Sequence, residues 1–415
     1  MKRKILVFFF LIFAALSYKA VSQTIPQFTE SGKISLLTVT PSDEEPYTLF
    51  GHTAIRIKDD SLKLDVVFNY GIFSFEEPNF IFRFVKGQPD FAVIAVPYER
   101  FIVEYQFRGV GLYEQVFNLT AADKQNIWQA LVINAQPENR IYRYNFLYDN
   151  CATRPRDIVE QNVSGVIEYT PTKKEQTYRD LIHECMRFSP WTGFGIDLII
   201  GSGADEIIND RQKDFLPRYL CNTYTDAKIT QNNGELVNLV QDENFLLMPS
   251  TPMTLALYEI NNPMSIVDFY MPTEYPIIIG CLLLLITLII SYLSYKKNLT
   301  VLGKIFDTLL FLVAGAGGSI IFFLMFFSEH PCVAANWNLV WLNPLQLIAA
   351  FLFFVKPLRK CIYYYHFINF VALLLFLLAW SLIPQYLEIA FIPYILSLMI
   401  RSGINILQQI KNNKA

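Results

Sequence analysis

Apolar and polar residues alternate in one half of this chain and separate in the other. From about residue 23 to 275 charged and apolar positions interleave, whereas from residue 276 the chain is a succession of apolar runs at 277–295, 302–327, 339–355, 366–383 and 386–400. A bilayer core of about 30 Å takes about 20 helical residues, so the runs read as membrane spans, the last of them short. Pro384 either separates two crossings or kinks one; taking it as a separator gives five spans. At the other end, Lys2, Arg3 and Lys4 precede an apolar run over 5–16 and small residues at Ala20 and Ser22. That order predicts a secretory signal over 1–22, cleaved before about Gln23, with an uncleaved anchor as the alternative.

The interleaved half predicts a mixture of strands and helices. Residues 34–39 read as a strand, and 53–57 with 64–70 as a hairpin around the turn 58–63. Further strands are expected at 91–96 and 113–119, and a helix at 97–107 with Pro97 in its first turn. Thr120 is suited to cap a helix over 121–134, whose inner face would be Ile127, Trp128 and Leu131. After the Tyr-rich run 142–148 come helices at 152–161 and 178–187, a compact buried element or turn at 194–203, and a connector over 234–272. The fold class expected is therefore α+β for 23–275, followed by a five-helix membrane bundle over 276–405.

Charge sets the orientation. Lys296, Lys297 and Lys304 lie between the first two runs, Lys356, Arg359 and Lys360 between the third and fourth, and Arg401, Lys411 and Lys414 in the tail. The loop 328–338 and the turn at Pro384 have no Lys or Arg. All basic clusters then fall on the cytoplasmic side, and residues 23–275 face outward. A hydrophobic content of 53% is too high for an ordinary soluble protein, and a net charge of −3 gives no basic field for nucleic acid.

Against this background the segments FGHTAIRI and YDNCATRPRD stand out. His52 opens a strand and Cys151 opens a helix, where a thiol's pKa is lowered. An imidazole base beside such a thiol points to acyl-transfer chemistry. Asp149 and Asn150 would cap that helix and position the nucleophile, and Asn69, on the strand paired with that of His52, would orient the ring, with Asp65 or a backbone carbonyl as alternatives. Among the other three histidines, His183 reads as a surface residue and His366 as interfacial. His330 and Asn336, in the external loop, are candidate substrate-binding groups, while Trp337 and Trp341 read as interfacial anchors. No metal-ligand spacing surrounds His52 or Cys151 and no GxSxG elbow occurs, so neither a metal centre nor a serine triad is expected. Cys185 and Cys221 either pair, leaving Cys151 free, or are small buried apolar residues.

The order of His before Asn-Cys resembles the circularly permuted papain-like group that includes lecithin:retinol acyltransferase and NlpC-type proteins. More closely, YTLFGHTAIRI, VFNYGIF, YDNCATRPRD, TYRDLI, WTGFGIDLIIG and EHPCVAANWNLVWLNPL resemble the Lnb-type lipoprotein N-acyltransferases of Bacteroidota. The resemblance covers nearly the whole mature chain. It implies a permuted papain-like periplasmic domain, an inner-membrane location, and Cys151 with His52 as the catalytic pair, supported by Asn69, Asp149 and Asn150. It implies no cofactor, a membrane phospholipid as acyl donor and a diacylglyceryl lipoprotein as acceptor. A Cys–His hydrolase acting on peptidoglycan or phospholipid is the rival expectation, and a non-catalytic binding module the third.

Overall fold

A computed structural model describes residues 25–172, 174–231, 234–250, 275–297, 299–353 and 355–414. The expected signal segment 1–22 lies outside them, as does most of the connector. The outward half is built on a seven-stranded sheet. Its strands are β1 (Lys33–Val39), β2 (His52–Asp59), β3 (Leu64–Ile72), β4 (Asp90–Pro97), β5 (Leu112–Phe117), β6 (Ile141–Arg143) and β7 (Val240–Leu247), in the order β7-β5-β1-β2-β3-β4-β6. Every pairing is antiparallel. Helix α1 (Phe80–Val85) joins β3 to β4, α2 (Tyr98–Phe107) joins β4 to β5, and α3 (Ala121–Asn134) follows β5.

Side chains alternate across a strand, so each strand feeds two cores. Leu37, Val39, Ala54 and Val67 point to one face and pack on Phe101 and Tyr105 of α2. Ile34, Leu36, Ile55, Ile57 and Phe68 point to the other, against Ile127, Trp128 and Leu131 of α3 and Val159 of α4 (Thr153–Asn162). Thr120 caps α3 as expected, its side chain accepting from the Asp123 amide at 3.2 Å. On the α2 face Arg56 is nearly buried; Asp65 takes its Nε and Nη2 at 2.8 and 2.6 Å, and Tyr98 covers the guanidinium plane.

Two expectations change. Part of the segment read as a connector forms β7, an edge strand on β5 with two register shifts. Gln241, Asp242 and Asn244 are exposed while Glu243 is partly buried and accepts from Tyr113 and Gln115 at 2.9 and 3.0 Å, so polar residues occupy both faces and the apolar alternation that marks a strand is lost. The element expected at 194–203 is helix α6 (Pro190–Ile199), which follows α5 (Tyr178–Met186). Phe194 and Leu198 of α6 pack on the membrane part, where the Phe194 ring lies 5.0 Å from that of Phe391. Cys185 and Cys221 are buried free thiols rather than a disulfide.

The membrane part also departs from five regular spans. Among the described residues four helices are long and apolar enough to cross a membrane: α8 (Tyr275–Lys296), α9 (Thr300–Phe327), α11 (Arg359–Leu378) and α12 (Ile392–Lys414), after α7 (Pro217–Thr225) in the outward half. The third run is instead a 3-10 turn over Trp337–Val340, then Pro344, then the short helix α10 (Leu345–Leu352). Its irregular backbone lies directly on α9: a Cβ on Gly318 would be 2.5 Å from the Asn343 nitrogen, and one on Gly315 2.2 Å from the Leu347 nitrogen. Non-helical backbone at membrane depth is tolerated where protein covers it. Trp341 is accordingly buried, with its indole nitrogen donating to Asn338 Oδ1 at 2.9 Å, rather than a lipid-facing anchor.

Two polar residues sit deeper than their sequence positions suggest. His366 is 1% exposed and lies between the rings of Phe311 and Phe353, inside the bundle instead of at its edge. Arg401, read as part of a cytoplasmic tail, is fully buried and pairs with Asp307 of α9 through Nη2 and Oδ2 at 3.0 Å. Ser291 and Asn405 complete the cluster at 3.0 and 2.8 Å. Removing one partner leaves a buried charge uncompensated, so Arg401→Ala should destabilise the protein by about 3–5 kcal/mol, read as a lower thermal unfolding temperature in detergent. The neutral pair Asp307→Asn with Arg401→Gln should cost less than Arg401→Ala. Wild-type stability in Arg401→Ala would contradict a buried ion pair.

Candidate active site

His52 is the first residue of β2 and follows a tight entry. The 3-10 turn Pro46–Phe50 ends at Gly51, whose φ is +73°. A Cβ there would lie 2.7 Å from the Val39 carbonyl oxygen, which leaves no room for a side chain. In the β2–β3 pairing Ala54 faces Asn69, so His52 lies one same-face step along and diagonal to Asn69. The ring meets that residue, His52 Nε2 donating to Asn69 Oδ1 at 2.6 Å.

Cys151 arrives from the opposite direction, in the turn before α4. Asn150 builds that turn: its Oδ1 accepts from the amides of Ala152 and Thr153 at 2.8 and 2.9 Å, and its Nδ2 donates to the carbonyls of Phe146 and Phe215 at 2.7 and 2.8 Å. Asn150 therefore ties the turn to the first amides of α4, two residues ahead of the N-cap position Ala152. Asp149 does not cap; its Oδ2 accepts from Arg154 Nη2 at 2.7 Å, and the Arg154 guanidinium lies 3.7 Å from the centre of the Tyr142 ring. The Thr53 hydroxyl donates to the Cys151 carbonyl and ties the turn to β2.

Between these segments lies Gly71, whose positive φ an L side chain rarely adopts. It has φ +90° and sits where β3 and β4 slip register, and a Cβ there would lie 3.4 Å from Cys151 Cβ and 3.8 Å from His52 Cε1. Thr53, Gly71 and Arg154 give no sign in the sequence of being site residues, because only the register and the turn geometry bring them to the pair.

Each group favours the charged form of the other. Burial by itself would lower the His52 pKa, but the facing Cys151 and the hydrogen bonds to Cys151 and Asn69 raise it above 6.5. Burial likewise pushes the Cys151 thiol up, yet the His52 charge, its hydrogen bond and the Thr53 amide bring it below 9.0. The arrangement can supply a nucleophilic thiolate and an imidazolium able to return a proton. By contrast Cys185 and Cys221, buried with no such partner, are each pushed up to about 12.

The remaining sequence candidates lie elsewhere. The structure does not bring His330 or Asn336 into hydrogen-bond contact with His52 or Cys151. His330 Nε2 donates to the Phe84 carbonyl of α1 at 2.7 Å, and Asn336, 3% exposed, donates to the Leu198 carbonyl of α6 at 2.7 Å. Both fasten the outward half to the external loop of the membrane part. His183 is not a free surface group but bonds Asp197 at 2.9 Å, in a network with the buried Arg179.

Because the thiol is held low by His52, alkylation of Cys151 should follow pH with a midpoint below the ordinary 9.0. In His52→Ala the two His52 contributions are lost and burial outweighs the remaining Thr53 amide, so the midpoint should rise and the rate at pH 7 should fall about tenfold or more, one decade per pKa unit. An unchanged profile would contradict the pairing. Gly71→Ala, strained by the positive φ, should displace the β3 backbone beside the pair and shift the profile in the same direction.

Two family models match the chain: the Lnb N-terminal periplasmic domain over residues 28–184 and the Lnb transmembrane domain over residues 271–413. Neither the curated proteins nor the solved structures gave a match. With both of its characteristic domains in order and covering most of its length, the chain belongs to the Lnb family, as a membrane protein with a periplasmic domain.

Proposed function

We propose that this protein is a thiol-dependent lipoprotein N-acyltransferase of the inner membrane, with Cys151 as nucleophile, His52 as base and acid, and Asn69 orienting the ring. The observation that carries this reading is a polarised Cys–His pair in a domain fixed to a membrane bundle. Residues 1–22 would be the export signal and 23–275 a periplasmic domain of permuted papain-like type, in which His precedes Cys and the His-bearing strand meets the Cys-bearing helix start.

In the first half-reaction the Cys151 proton passes to His52, and the thiolate attacks the carbonyl carbon of a phospholipid acyl ester. The C–S bond forms, the ester C–O bond breaks, and His52 returns its proton to the departing alkoxide, giving a thioester and a lyso-lipid. In the second, the neutral α-amine of a diacylglyceryl lipoprotein's N-terminal Cys attacks the thioester carbon. His52 takes the amine proton and the C–S bond breaks, so an amide forms and the thiolate–imidazolium pair is restored. No cofactor is needed to balance either step.

Water is the competing acceptor, and a thioester facing bulk solvent would hydrolyse. Cys151, Phe73 and Tyr144 pack on the same apolar core, which favours transfer over hydrolysis. Asp149 and Asn150 shape the nucleophile turn, while His330 and Asn336 hold the site at the membrane surface where both substrates reside.

Mass spectrometry of lipoprotein N-termini is the test. Cells carrying Cys151→Ser should lose the N-linked acyl chain and keep the diacylglyceryl group, and His52→Ala should reduce N-acylation about 100-fold or more, the scale of a lost general base. Intact N-acylation in Cys151→Ser, or altered cell-wall fragments with normal lipoproteins, would reject the proposal.

A further inference from the structure

Helix α1 is apolar on the side that should face water. Of its six residues only Phe80 is buried; Ile81 is 70% exposed, Phe82 60%, Phe84 45% and Val85 36%, and Phe75 just before it is 68% exposed. A contiguous cluster of this kind marks a surface that meets something apolar.

The position of α1 identifies what that is. The Glu329 amide donates to the Lys86 carbonyl at 2.9 Å, and His330 donates to Phe84 at 2.7 Å, so the end of α1 is fastened to the residues just beyond α9. At Gly87, φ +74°, a Cβ would lie 2.6 Å from the His330 nitrogen, which shows how closely the two backbones abut. The last residues of α9, Phe326 and Phe327, are themselves 59% and 57% exposed, as lipid-facing residues at a span's end would be. The apolar face of α1 therefore continues the lipid-facing surface of the bundle at head-group height, where a short aromatic helix is stabilised by partial insertion.

From α1 a chain of aromatic contacts runs inward. Phe75 lies 5.3 Å from Phe80 and 5.1 Å from Phe73, Phe73 stacks on Phe80 at 5.4 Å and on Phe91 at 4.8 Å, and Phe91 stacks on Tyr144 at 4.1 Å. Tyr144 and Cys151 pack on the same core, and Phe73 follows closely on Gly71 beside the sulfur.

We propose that α1 with Phe75 inserts into the outer leaflet of the membrane and that the aromatic series from Phe75 to Tyr144 is the apolar track along which a lipid acyl chain reaches Cys151. The insertion stands independently of the reaction; the track deepens the acyl-transfer reading and rests on it.

A benzoylphenylalanine replacing Phe82 in the full-length protein, irradiated in native membranes, should form an adduct of phospholipid mass. An adduct with a second copy or another protein, or none, would overturn the insertion. In a separate measurement, the double variant Ile81→Ser with Phe82→Ser is offered phosphatidylethanolamine vesicles. Acylation of Cys151 should fall about tenfold, the effect of losing about 1.4 kcal/mol of apolar contact, while alkylation of Cys151 by a small soluble reagent stays within about twofold of wild type. Equal acylation in variant and wild type would remove the track. A lipid adduct at position 82 in a protein whose Cys151 never takes an acyl group would leave the insertion standing and overturn the acyl-transfer reading together with the track.

Discussion

The thiol of Cys151 and the ring of His52 stabilise each other's charge, and the rest of the outward half exists in a form that lets them meet. Burial opposes both charges when each is taken singly, so the pair is favoured only because the two groups are adjacent. That adjacency is set by backbone. The β2–β3 register places Asn69 behind the ring, Gly71 supplies the positive φ of the backbone beside the pair, and Asn150 folds the turn that delivers the sulfur. Thr53 links the two halves of the site through the Cys151 carbonyl. None of these supports is itself reactive, and each acts through geometry.

A second constraint fixes this pair relative to the membrane. The external loop after α9 holds α1 through His330 and Glu329 and holds α6 through Asn336 and Asn338, whose Nδ2 donates to the Asp197 carbonyl at 2.9 Å. Gln385, before α12, donates to the Ile200 carbonyl at 3.1 Å. Asn336, Asn338 and Gln385 are buried, so each of their bonds left unmade would leave a buried polar group without a partner, whereas the His330 bond is exposed. The outward domain is thus seated on the bundle by matched polar groups as well as by the Phe194 contact. Within the bundle, Arg401 and Asp307 join α12 to α9 in the same manner.

Much of this is legible in the sequence where one pattern has one cause. The strand starting at His52, the hairpin to Asn69, the Thr120 cap and the helix after Cys151 follow from alternation, turn residues and caps, and the structure has them close to their expected bounds. Legibility fails where two causes compete. The edge strand β7 has polar residues on both faces, Glu243 turning in to Tyr113 and Gln115, and so loses its alternation, and α6 is apolar because it docks on the bundle rather than because it is a core turn. The run at 339–355 is apolar enough for a span, but Pro344 and the glycine notch on α9 favour a broken segment. Arg401 and His366 lie deeper than expected for one reason: composition reports that a charge or imidazole is present, whereas only packing reports which way it faces. At the site, the ring and sulfur can be named from chemistry, but Thr53 and Gly71 belong to it through register alone.

If the Cys–His pair acts as proposed, Cys151 carries the acyl group covalently. Purified protein mixed with phospholipid and no lipoprotein acceptor should gain the mass of one acyl chain, located on the peptide containing Cys151 and removed by hydroxylamine, with no gain in His52→Ala. A protein that turns over phospholipid and lipoprotein while Cys151 remains unmodified, or that carries the acyl group on another residue, would contradict it.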